Sequence, residues 1–238
     1  MSLLSYLCFW TFSNVYAQSP ETKALASQFP QEYQHRNTIY PIATRAGHLR
    51  FVGAELADPM WAPLYIERYL SKKESPAVRR ALLDLIFRSQ QSLPQEIIDT
   101  YAQEPEILRA EIVDLIPFGS IRTEDLLQDE SALVRASLLR KVAKTPTAST
   151  EIILRGLQDT DAHVLADAAR AAHQRECTEA IALLSQLITH QDGTVALRSL
   201  YALSKLDAER AKDLVQKHKL YNSNHTNLAL FAHNLLTQ

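Results

Sequence analysis

The side chains of this 238-residue chain best equipped for chemistry are eight histidines, several paired acids and two cysteines. Histidines that share a metal on one helix stand three or four residues apart, so that both rings reach one ion. His163 and His173 are ten apart, and the His-Glu-x-x-His pattern does not occur. His225 and His233 flank an apolar stripe near the C-terminus. The sequence holds no Gly-x-Ser-x-Gly elbow, no Walker-type phosphate loop and no dinucleotide fingerprint. Pairs such as Asp159 with Asp161, or Glu124 with Asp125, fall in turns and first helical turns. Carboxylates there cap free amide groups and favour the helix dipole. The expectation is a protein that is not an enzyme, with no catalytic residue, no metal and no cofactor.

Cys177 lies between Glu176 and the pair Thr178-Glu179. Neighbouring carboxylates disfavour a thiolate, so a structural cysteine at a helix start is expected rather than a nucleophile. The other cysteine, Cys8, belongs to a different kind of segment. Residues 1–17 carry no charged side chain and are rich in Leu, Phe, Tyr and Trp. They end Val15-Tyr16-Ala17, the small-residue pattern that signal peptidase accepts. A signal peptide over 1–17 is therefore expected, cleaved after Ala17 and directing export. The periplasm is the favoured destination, with secretion the alternative. Its removal leaves Cys177 alone and excludes an intramolecular disulfide. The apolar run is shorter than the ~20 residues of a membrane helix, so no membrane span is expected after cleavage. Retention of the segment instead gives an anchored subunit of an envelope complex. Asn224-His225-Thr226 matches a glycosylation sequon, although Asn224 as a helix N-cap is sufficient explanation.

The formal charge of −2, with acidic and basic residues interspersed, removes the footprint of a nucleic-acid binder. Only five glycines are present, too few for a chain of tight hairpins. Residues 18–41 read as a polar linker, and helical spacing begins at Ile42. Asp58-Pro59 and Ser75-Pro76 are paired start signals, a capping side chain followed by proline at the first helical position. The stretch from Ser75 to Ile86 recurs in four later variants, beginning near Glu104, Glu130, Asp161 and Asp192. That is a repeat of roughly 26–31 residues, the kind that marks a stacked array. Each repeat supplies two short helices, and neither encloses its apolar stripe alone. A last, degenerate pair is expected over Ala208–His218 and Asn224–Leu236, the second with Leu228, Leu230, Phe231 and Leu235 as its apolar side.

At Val78-Arg79, Leu108-Arg109 and Val134-Arg135 the chain resembles short HEAT repeats: an acidic or Ser-Pro turn, an apolar-Arg pair, then an Ala/Leu-rich second helix. The likeness spans roughly Ile42 to Leu236. Leu165 replaces the arginine in the fourth unit, and Arg198 is late in the fifth. The resemblance implies an all-α fold, a right-handed α-solenoid of about five to six helical hairpins over residues 42–238. It further implies that Arg79, Arg109 and Arg135 are structural repeat arginines, bonding the turn or an acid of the next repeat. Asp84, Asp114, Arg140 and Arg170 form a second column, in which Asp114 is expected to approach Arg140. In such arrays the second helices line the concave side, which makes Arg80, Asp84, Arg140, Arg170, His173 and Tyr201 candidates for a partner-binding surface. The expected role is that of a scaffold holding another protein. The alternative is a lyase or small-ligand carrier of the kind some HEAT-like arrays resemble, with His163, His173 and Cys177 near a groove.

Overall fold

The computed structural model describes Pro20 and residues 57–237. The expected signal segment, the linker and the helix starting at Ile42 lie outside the described residues. Among the described residues there are twelve α-helices and no strand. None of these helices is long and apolar enough to cross a membrane. The chain divides into two compact units, Met1–Ile116 and Pro117–Gln238.

In the first unit Asp58 accepts a hydrogen bond from the Met60 amide at 2.9 Å, and a 3-10 turn over Pro59–Trp61 leads into α1, Ala62–Leu70. Helix α2, Pro76–Gln90, starts at Ser75, whose hydroxyl accepts from Val78 N–H. It stops at Gln91, which adopts the left-handed conformation (φ 59°) usually left to glycine. Helix α3, Gln95–Ile98, is one turn; α4, Glu106–Leu115, closes the unit. Helices α1 and α4 both pack on α2, whose Leu82, Leu83, Leu85 and Ile86 are fully buried.

Glu104 stands just before α4, the last helix of this unit. It sends its carboxylate inward, where Arg79 Nη1 and Nη2 donate to its two oxygens at 2.6 Å each. The pair is buried, with side chains 5% and 1% exposed. Arg79 Nε donates to the Tyr69 carbonyl at 3.2 Å, and the guanidinium stacks 4.3 Å from the Tyr69 ring centroid. Burial, reinforced by the Glu104 charge, pushes the Tyr69 phenol up to about 12, and burial also raises Tyr65. An unfolded tyrosine ionises near pH ~10. The stabilisation is therefore whole below about pH 10 and is lost as pH rises towards about 12. Urea melts taken at increasing alkaline pH should show that decline, and Tyr69→Phe should reduce its slope.

In the second unit five helices alternate between short and long. They are α5, Thr123–Leu127; α6, Ala132–Lys144; α7, Glu151–Gly156; α8, Ala162–Gln174; and α9, Ile181–Leu187. Helices α10, Gly193–Leu206, α11, Ala208–His218, and α12, Thr226–Thr237, complete it. The long helices pack in sequence order, α6 on α8, α8 on α10 and α10 on α12. The short ones α5, α7 and α9 lie against α6, α8 and α10 respectively. Asp161 caps α8 through the amides of His163 and Val164, and Asp192 caps α10 through Thr194 and Val195. Those bonds, led by the one from Val195, hold the Asp192 carboxyl below the usual range.

Helix α8 owes its close approach to its neighbours to small side chains: Ala166, Ala168, Ala169, Ala171 and Ala172 are all buried. Arg135 on α6 bonds Asp159 bidentately at 2.7 and 2.9 Å and also donates to the Asp129 and Glu130 carbonyls. Burial opposes ionisation of Asp159, but Arg135 and the Asp161 amide outweigh it and keep the carboxyl below its usual value. In the first unit Arg109 donates to the Glu104 carbonyl at 3.0 Å. Arg175 has no counterpart in the sequence reading. Its guanidinium donates to the carbonyls of Val142, Thr145, Pro146 and Ala148, tying α8 to the turn that follows α6.

Cys177 is buried at the start of a 3-10 turn, its Sγ 3.5 Å from Glu179 Oε2. Burial first, then the Glu179 carboxylate, pushes the thiol up. Its reaction with a disulfide reagent at neutral pH should therefore be at least ~100-fold slower in the folded chain than in urea. Equal rates would contradict a buried thiol.

Candidate functional site: a groove on the second unit

Helices α8, α10 and α12 leave a groove of about 530 Å³ between them. Its walls carry Arg170 and His173 from α8, Leu197 and Tyr201 from α10, and Leu230 and Phe231 from α12. Arg198, Asn227 and Asn234 complete the lining. The spacing of these residues follows from helix geometry. Arg170 and His173 are three apart, Leu197 and Tyr201 four apart, so each pair sits on one face.

An aromatic series runs along the groove. The His173 and Tyr201 rings meet edge to face at 5.3 Å, and Tyr201 lies 5.7 Å from Phe231 at an interplanar angle of 50°. Lys205 Nζ approaches the Tyr201 ring to 5.6 Å. Tyr201 and Leu230 are 42% and 59% exposed. Leu230 differs from expectation here. Counted from Leu228 at ~100° per residue it points almost to the opposite side of α12. Leu228, Ala232 and Leu235 form the buried stripe instead. The expected Asn224 cap is also displaced: α12 begins at Thr226, and in the preceding turn the Ser223 hydroxyl accepts from the His225 amide.

At the edge of the groove one acid serves three arginines. Arg140 Nη1 and Arg198 Nη1 lie 3.1 Å from Asp167 Oδ2 and Oδ1, and Arg170 Nη2 lies 3.4 Å from Oδ1. The Arg170 Nε is shielded from solvent and has no hydrogen-bond partner.

Of the sequence candidates, Arg170, His173 and Tyr201 are brought together in this groove, and Arg140 joins them through Asp167. Arg80 and Asp84 lie in the first unit on α2, where Arg80 pairs with Glu111 and Asp84 with Arg88 at 3.5 Å. Asp114 lies in the first unit and Arg140 in the second. Asp167 has no place in the sequence reading, and Arg198, Leu230 and Phe231 enter it only as repeat positions, not as site residues. Asp167 had a usable signal, standing one repeat length from both Arg140 and Arg198. His163 and Cys177 do not line the groove. Among the described residues no group of three or more His, Cys, Asp or Glu side chains is arranged to hold a metal.

No protein-family model matches this chain, and no curated protein matches it.

Proposed function

We propose that this chain is a non-enzymatic binding protein of the periplasm or cell envelope, a HEAT-like α-solenoid that holds a segment of another protein in the α8–α10–α12 groove. The observation that carries the docking reading is the groove itself, with aromatic and aliphatic side chains left open to solvent beside cationic ones. Large exposed apolar groups gathered in one concavity mark interaction sites. The open setting of Tyr201 and Leu230 suits an extended protein segment better than an enclosed small molecule, whose surface is mostly buried when bound.

The solenoid reading is supported by the spacing of the long-range side-chain bonds. Arg79 to Glu104 spans 25 residues, Arg135 to Asp159 24, Arg140 to Asp167 27 and Asp167 to Arg198 31. Arg155, which pairs with Glu124, and Arg80, which pairs with Glu111, also reach across 31. Each spacing is close to one repeat, as expected when a hairpin bonds to the next in sequence. Export rests on the uncharged apolar residues 1–17 and their Val15-Tyr16-Ala17 ending.

Affinity capture from an envelope fraction tests the reading, comparing the wild-type chain with Leu230→Glu. Leu230 is exposed, so the charge should leave the fold intact. A protein retained by the wild type and lost with Leu230→Glu is the expected outcome. An identical set of captured proteins would overturn the docking role of the groove. Mass spectrometry of the bait's N-terminus, in the same experiment, should begin at Gln18.

A further inference from the structure

Resting on the docking groove just proposed, we infer that the segment it takes is acidic as well as apolar: a carboxylate seats on Arg170 and Arg198 beside a large apolar side chain lying on Tyr201, Leu230 and Phe231. Charge complementarity makes the case. Asp167 offers one negative charge and shares it among Arg140, Arg170 and Arg198. It cannot neutralise both guanidiniums at the groove. Lys205 adds a further cation over the Tyr201 ring. The residues lining the groove include two arginines and a histidine, and none of them is acidic. This local excess stands against a chain whose overall formal charge is −2.

Arg170 supplies an independent observation. Its Nη2 contact with Asp167 is long at 3.4 Å, and its side chain stays 38% exposed beside the groove. A guanidinium presents its donors as a planar fork that fits a carboxylate. An incoming Asp, Glu or C-terminal carboxylate would complete that geometry. Asn227 and Asn234 on α12 are placed to bond the backbone of the same segment, and the aromatic series takes its apolar neighbour.

The test is selection of displayed random peptides on the immobilised full-length chain. Enriched sequences are then synthesised and measured by fluorescence anisotropy against wild type, Arg198→Glu, Tyr201→Ala and Leu230→Glu. Tyr201 and Leu230 are exposed and Arg198 is half-buried, and a retained helical circular-dichroism signal verifies each fold. The expected peptides carry Asp or Glu within a few residues of Leu, Phe or Trp. Their affinity should fall at least ~10-fold with Arg198→Glu, with Glu→Gln in the peptide, and as salt is raised. Neutral or basic peptides that still depend on Tyr201 and Leu230 would overturn the acidic partner while leaving the docking groove standing. No enrichment, or peptides indifferent to all three variants, would overturn both.

Discussion

Replacing Glu104 with Ala should destabilise the first unit by about 3–5 kcal/mol, measured by urea denaturation followed by circular dichroism. The size comes from what is left behind rather than from what the pair is worth. Arg79 is 5% exposed and cannot reach water when its carboxylate is removed. The Tyr69 carbonyl and ring remain as partners, but neither supplies a negative charge. Replacing both members, Arg79→Met with Glu104→Leu, removes the stranded charge and should be more stable than Glu104→Ala alone. A loss below about 1 kcal/mol for the single change is the value of a surface ion pair, and would contradict the buried geometry.

Gly156→Ala should also destabilise, although the usual rule for a helical glycine has the opposite sign. Alanine gains about 1 kcal/mol over glycine in a helix interior, and less at the last position of a short helix such as α7. Against this, the added Cβ would lie 2.8 Å from both methyls of Leu139 and 3.1 Å from the Ala168 Cβ. Leu139 is 1% exposed, so its methyls yield only by pressing on the side chains that bury it. Overpacking of a filled core costs about 1–3 kcal/mol, so a net loss of about 1–2 kcal/mol is expected in thermal or urea melts. Leu139→Val should recover part of it by making room. A Gly156→Ala protein more stable than wild type would mean that α6, α7 and α8 are not packed as described.

Much of the helical organisation was legible because its signals are local. Asp58, Ser75, Asp161 and Asp192 announce helix starts by capping chemistry, and Ala208–His218 was read to the residue. The twelve helices and the sequence-order packing of α6, α8, α10 and α12 build on those starts. The site was less legible, because it depends on which face of each helix is left uncovered. Leu230 reads as core in a one-dimensional stripe, and only its angle on α12 turns it outward. Asp167 stands outside the column of Asp84, Asp114, Arg140 and Arg170, although a repeat length on either side of it stands an arginine. Glu104 reads as a turn acid and is in fact a buried counter-ion. Arg79, 25 residues earlier, points as a repeat arginine to an acid of the next repeat, but the depth at which the pair is buried depends on packing around it.

The most direct test of the docking groove places a photo-crosslinking amino acid at Leu230, and separately at Met60 on the first unit, in cells that express the chain. Both positions are exposed, at 59% and 44%. A discrete adduct with another protein from position 230, suppressed by Arg198→Glu and absent from position 60, is the expected result. Adducts of equal yield from both positions, or none from position 230, would contradict a partner held between α8, α10 and α12.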